Sequence, residues 1–115
     1  PIKVKSGKFL CVPYTAELND ARLLRLSYES DYHADIVKAQ FDQLYEEGAE
    51  SGRTLCIAYH PLMTGRPHRI KHMDRVLDYI MSHDGVWQTT ADDIAEYYIE
   101  NYYDEAVAHA RKFKT

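Results

Sequence analysis

The spacing of apolar positions changes several times along the chain, and each change marks an element. Ile2 and Val4 alternate with lysines, and Ser6-Gly7 reads as a turn. Phe9-Leu10-Cys11-Val12 is then an unbroken apolar run stopped by Pro13. Such a run suits a strand buried on both faces. Glu17-Leu18-Asn19-Asp20 reads as a turn in which Asn19 or Asp20 caps a short helix through Ala21-Arg22-Leu23-Leu24. From Asp31 the period becomes helical. Ile36, Val37, Phe41, Leu44 and Tyr45 share one stripe, with Asp31 as the cap and Gly48 as the stop.

Thr54-Leu55-Cys56-Ile57-Ala58-Tyr59 is a second continuous apolar strand, ended by His60-Pro61. A loop with Gly65 and Pro67 follows, and Pro67 suits the first position of a helix whose apolar face is Ile70, Met73, Val76, Leu77 and Ile80. His83-Asp84-Gly85 makes a turn and Val86-Trp87-Gln88 a short strand. Thr90 then caps a long last helix with Ile94, Tyr98, Ile99, Tyr102 and Ala106 inward and Arg111 and Lys112 at its negative end. Buried strands alternating with helices predict an α/β fold with parallel pairing. Three strands cannot close a barrel, so the pattern is that of part of one: a few parallel strands with flanking helices in a single domain over residues 1–115. The segments ending at Val12 and Tyr59 are expected to lie side by side and open into a common mouth.

The chain has 115 residues, enough for one hydrophobic core. Its 14 basic against 18 acidic side chains argue against an electrostatic nucleic-acid binder. No apolar run reaches the ~20 residues of a membrane span. Cys11 and Cys56 stand alone without metal-type spacing, which predicts reduced thiols and a cytoplasmic protein.

In parallel α/β proteins reacting groups collect at the carboxyl ends of strands. That rule selects His60, whose imidazole suits acid/base work near neutrality; the alternative is a histidine that only hydrogen-bonds a loop carbonyl. Arg66 and Arg69 flank Pro67 at a helix start and suit a carboxylate, imide oxygen or phosphate, or else pair with surface acids. His68 and His72 have the i, i+4 spacing of metal ligands. Arg69 stands where a zincin carries its glutamate and no third ligand is evident, so no metal or cofactor is expected. Tyr97, Tyr98, Tyr102 and Tyr103 cover two helix faces, which predicts packing against a partner or another segment.

An ordered set of motifs carries a family resemblance. It comprises Val12-Pro13-Tyr14-Thr15, Asn19-Asp20, Leu44-Tyr45-Glu46-Glu47-Gly48-Ala49, His60 with Gly65-Arg66-Pro67 and Arg69, Leu77-Asp78-Tyr79-Ile80, and Ser82-His83-Asp84-Gly85-Val86-Trp87. Together they resemble the second half of the polysaccharide deacetylase (NodB homology) family. Within it they are most similar to the metal-independent allantoinases and related cyclic-amide hydrolases. The resemblance implies the C-terminal portion of a distorted (β/α) barrel that hydrolyses a non-peptide carbon–nitrogen bond, in an N-acetyl group or a cyclic amide. It implies acid/base work for His60 and substrate-facing roles for Tyr14 and Asn19, with the Arg66 loop following the histidine. The family's early Asp-Asp and His-x-x-x-His motifs have no counterpart here. The expected partners are therefore the N-terminal half of the same barrel and a small amide or N-acetylated sugar. The other function considered is a non-catalytic oligomerisation or binding module, a homo-oligomer derived from such a barrel.

Overall fold

A computed structural model of the chain describes residues 4–113. Two compact units emerge, Pro13–Val86 and the described parts of Pro1–Val12 with Trp87–Thr115.

In the larger unit a 3₁₀ turn, Ala16–Leu18, leads into α1 (Asp20–Arg25), α2 (Ser30–Glu47), α3 (Pro61–Thr64) and α4 (Ile70–Met81). Asn19 begins α1 by accepting the Ala21 N–H on its side chain, as an N-cap should. The stripe predicted on α2 is the buried one: Val37 and Phe41 face inward, joined by His33 and Ala34 one turn earlier. Tyr45, at the end of that stripe, stays exposed. Helix α4 turns Val76 and Ile80 to meet them. Leu18, Ala34, Val37, Phe41, Val76 and Ile80 form the core, with Leu55 and Ile57 packed against it. Each fully buried aliphatic side chain contributes about 1.5–3 kcal/mol. Tyr79 rivets the two helices from the rim, its hydroxyl donating to Asp42 at 2.7 Å beneath the Lys38 ammonium. Helix α4 starts at Ile70 rather than at Pro67, because Arg66 to Arg69 first close a turn in which the Arg66 carbonyl accepts from both Arg69 and Ile70.

The expected strands are the main correction. Among the described residues no regular strand forms, and the partial barrel with parallel strands is not seen. Thr54 to Tyr59 forms no regular strand, and its ladder pairing among the described residues is a single parallel bridge between Ala58 and Asn19. Ala58 donates to the Leu18 carbonyl and accepts from the Asp20 N–H at 3.1 Å. The partner of the second apolar run is therefore the turn around Asn19, not a strand ending at Val12. Phe9 is 49% exposed, and neither Phe9–Val12 nor Val86–Gln88 joins a ladder. An apolar run reports what its side chains tolerate, whereas a strand exists only when a second backbone supplies hydrogen bonds. The extended reading of Ile2 falls outside the described residues.

In the smaller unit the predicted last helix is two: α5 (Ala91–Asn101) and α6 (Tyr103–Arg111). Thr90 caps α5 by accepting the Asp93 N–H. The break at Tyr102 follows from local competition: Asn101 donates its side-chain amide to the Tyr97 carbonyl at 2.7 Å, and Lys8 reaches Asp104 at 2.9 Å across the ring of Tyr103. Breaking the register exchanges two neighbours. Tyr103 is buried, and Tyr102, expected inward, is 47% exposed.

Candidate functional site

The lone bridge positions the chemistry. With Asn19 opposite Ala58, the residue after Asn19 lies beside the end of the extended segment, and Asp20 meets His60 there. His60 is extended and directly precedes Pro61, the first residue of α3, while its carbonyl accepts from Met63 and Thr64. Gly65 closes that short helix against the Pro61 carbonyl, leaving no room for a side-chain carbon.

Asp20 is 1% exposed and fully employed. Its Oδ2 accepts from the His60 backbone N–H at 2.9 Å and from the buried Thr64 hydroxyl at 2.5 Å, and its Oδ1 lies 2.6 Å from Nδ1 of His60. Burial alone would lift the carboxyl out of its usual range. The His60 N–H, the Thr64 hydroxyl, the His60 ring and the charge that ring can carry outweigh burial and hold it below its ordinary value. Asp20 is thus a buried carboxylate near neutrality. It makes Nδ1 of His60 the N–H donor and leaves Nε2 as the working nitrogen. The His60 side chain is 44% exposed, and it lines a small cavity. A carboxylate that fixes tautomer and ring orientation and stabilises an imidazolium is a general acid/base device.

Tyr59, the preceding residue, packs edge-on to His33, which hydrogen-bonds the Leu18 carbonyl. Burial, and then the charge of Asp20, push its phenol up to about 12. Tyr59, His60, Pro61, Thr64, Gly65, Ile70 and Met73 line a small cavity of about 170 Å³.

The other sequence candidates divide. Tyr14 is exposed and accepts a hydrogen bond from Asn19 Nδ2 at 2.7 Å, so Tyr14 and Asn19 stand together immediately before Asp20. Arg66 donates to the Leu62 carbonyl, and Arg69 reaches Glu29 at 3.3 Å and 3.4 Å and the Met63 carbonyl; neither lines the cavity beside His60. His68 is exposed and His72 half-buried, and among the described residues no three His, Cys, Asp or Glu side chains converge to hold a metal ion. Sequence reasoning missed Asp20 and Thr64. Asp20 was read as a possible helix cap, and its signal was an acid one residue past the turn expected to face the end of a strand. Thr64 carried no signal, because its role depends on the turn that folds α3 back onto Asp20.

No family model matches the chain. A Schizosaccharomyces pombe protein named "Putative polysaccharide deacetylase" is 37% identical over 90 residues, covering 76% of this chain and 28% of that protein. A crystal structure of a "probable Polysaccharide deacetylase from Pseudomonas aeruginosa PAO1" superimposes with a TM-score of 0.74 at 34% identity, covering 79% of this chain and 31% of the other. The chain is thus similar to a part of these two proteins, and it spans less than a third of the length of either.

Proposed function

We propose that this chain supplies the acid/base histidine of a hydrolase that cleaves a non-peptide carbon–nitrogen bond, and that it does so together with the N-terminal half of the same barrel. The observation that carries the proposal is the Asp20–His60 pair, with a buried carboxylate on Nδ1 of a histidine whose side chain is partly exposed. In this scheme water adds to the amide carbonyl carbon. As the tetrahedral intermediate collapses, Nε2 of His60 gives its proton to the departing nitrogen and the carbon–nitrogen bond breaks. An amine and a carboxylic acid are released. Asp20 stabilises the imidazolium before that transfer and keeps the ring in place throughout.

The group that activates the water belongs to the other half. The family's early Asp-Asp pair has no counterpart here, and the chain's own His-x-x-x-His spacing, His68 and His72, meets no third His, Cys, Asp or Glu ligand among the described residues, so the residues present do not fit the metal site of metal-dependent deacetylases and no step is assigned to a metal. Tyr14, held by Asn19, is the substrate-facing pair of the proposal. Arg69, whose guanidinium is spent on Glu29 and the Met63 carbonyl, would contact substrate only by leaving them, whereas Arg66 uses only its Nε, on the Leu62 carbonyl. The relatives' names favour an N-acetylated sugar; the motif set around Asn19 and His60 favours a cyclic amide such as allantoin. The two free cysteines suit a cytoplasmic setting, and among the described residues no helix is long and apolar enough to cross a membrane.

The test combines the chain with the N-terminal half, fused or as a separate polypeptide, and assays release of acetate from N-acetylglucosamine oligomers and ring opening of allantoin. Turnover that is lost in His60→Ala is expected. Absence of activity above either part alone overturns the proposal. The exposed ring cluster of Trp87, Tyr97 and Tyr102 favours the second reading, a non-catalytic module that self-associates; a stable monomer by light scattering removes it.

A further inference from the structure

We infer that the Thr64 hydroxyl sets how readily His60 releases its proton, acting through Asp20. Thr64 is a positioning residue in this scheme, not a catalytic one. The inference rests on the acid/base reading above and adds what governs the strength of that acid.

Thr64 stands 44 residues from Asp20 in the chain, yet it is 2% exposed and its hydroxyl is turned onto the carboxylate. The two oxygens of Asp20 divide their work. Oδ1 faces Nδ1 of His60, while Oδ2 accepts from the His60 backbone N–H and from Thr64. Among the described residues Thr64 is the one side chain besides the His60 ring that hydrogen-bonds this carboxylate. A hydroxyl that donates to a carboxylate withdraws negative charge from it. The charge left on Oδ1 is what holds the imidazolium. With the hydroxyl in place Asp20 grips the charged ring less tightly, and Nε2 gives its proton to a departing nitrogen more readily. Without it a more strongly charged Oδ1 keeps the proton on the ring.

The other titratable groups at this corner do not take over that role. Burial and the charge of Asp20 push the Tyr59 phenol up to about 12, so it stays neutral. His33, on α2, packs edge-on to Tyr59 and is engaged by the Leu18 carbonyl. Arg66 and Arg69 are turned to the Leu62 carbonyl and to Glu29.

NMR titration of the His60 ring tests this on the chain alone, and pH–rate profiles test it in the complemented enzyme. Thr64→Val keeps the shape and removes the hydroxyl. In it the ring is expected to take up its proton about half a pH unit or more higher than in the parent. In the complemented enzyme kcat is expected to fall about threefold, with KM little changed and the alkaline limb of the profile moved up. Thr64→Ser keeps the hydroxyl and is expected to titrate with the parent. In the Asp20→Asn background Thr64→Val is expected to shift the ring much less, because the charge it acts on is gone.

An unchanged midpoint in Thr64→Val overturns the inference, as does a lower one, which means that the carboxylate has let go of the ring. A full shift in the Asp20→Asn background overturns it too. If Thr64→Val does not fold, Thr64→Ser decides: parental titration supports the inference and a shifted midpoint overturns it. A raised midpoint without turnover in the complemented protein refutes the hydrolase reading alone; turnover with an unshifted midpoint refutes this inference alone.

Discussion

Asp20 is the residue on which stability and the proposed chemistry converge, and its replacement has a cost that the structure sets. Asp20→Ala leaves the His60 backbone N–H and the buried Thr64 hydroxyl without their acceptor. Each buried group left unpaired costs about 1–3 kcal/mol, so the expected loss is about 2–6 kcal/mol. Asp20→Asn is gentler. One amide oxygen still serves both donors, and the amide nitrogen then faces Nδ1 of His60, which becomes an acceptor and moves its proton to Nε2. Only charge assistance is lost, at about 1–2 kcal/mol. Urea unfolding of the chain at pH 7, followed by circular dichroism, measures both.

The pH dependence carries a sign as well. The folded Asp20 carboxyl titrates below its ordinary value of 3.8, so its contribution is complete above that value and is lost as pH falls through the folded pKa. Asp20→Asn removes that acid-side component, so its stability falls less steeply below pH 3.8 than that of the parent. Equal costs for the two substitutions, or a cost under about 0.5 kcal/mol for Asp20→Ala, would refute the account of Asp20 as a buried, triply engaged carboxylate.

Other substitutions probe the supports. Gly65→Ala places a carbon against the Pro61 carbonyl and is expected to lower stability by about 1–3 kcal/mol in thermal melts, displacing the turn that carries His60. Thr90→Ala removes the cap that accepts the Asp93 N–H and is expected to cost about 1 kcal/mol, with loss of helix signal confined to the α5 region in NMR chemical shifts. Arg69→Ala breaks a pair with the largely exposed Glu29, so urea unfolding should shift by no more than about 1 kcal/mol. In the complemented enzyme, a rise in KM on Arg69→Ala would show that this arginine leaves Glu29 for the substrate.

Local signals were legible without coordinates. The helical stripe through Val37 and Phe41, the facing stripe through Val76 and Ile80, the caps at Asn19 and Thr90 and the stop at Gly48 all follow from spacing and from the chemistry of single side chains. His60 was found by its place after an apolar run. Partnership was not legible. The apolar runs at Phe9–Val12 and Thr54–Tyr59 carry the same signature, yet one finds no ladder and the other a single bridge. Backbone pairing depends on which distant segment arrives alongside, and the side chains of one segment do not encode that.

The amino-acid order by itself determined that α1, α2 and α4 form, which stripes α2 and α4 bury, and that a histidine stands at the end of an apolar segment; it read α3 as loop. Only the tertiary structure decided that Asp20 is that histidine's partner, that Thr64 completes the carboxylate's shell, and that Arg69 is held by Glu29. The physical reason is range. Helix periodicity and capping act over a few residues, whereas the hydrogen bonds of Asp20 join positions 40 and 44 residues apart, brought together by one parallel bridge.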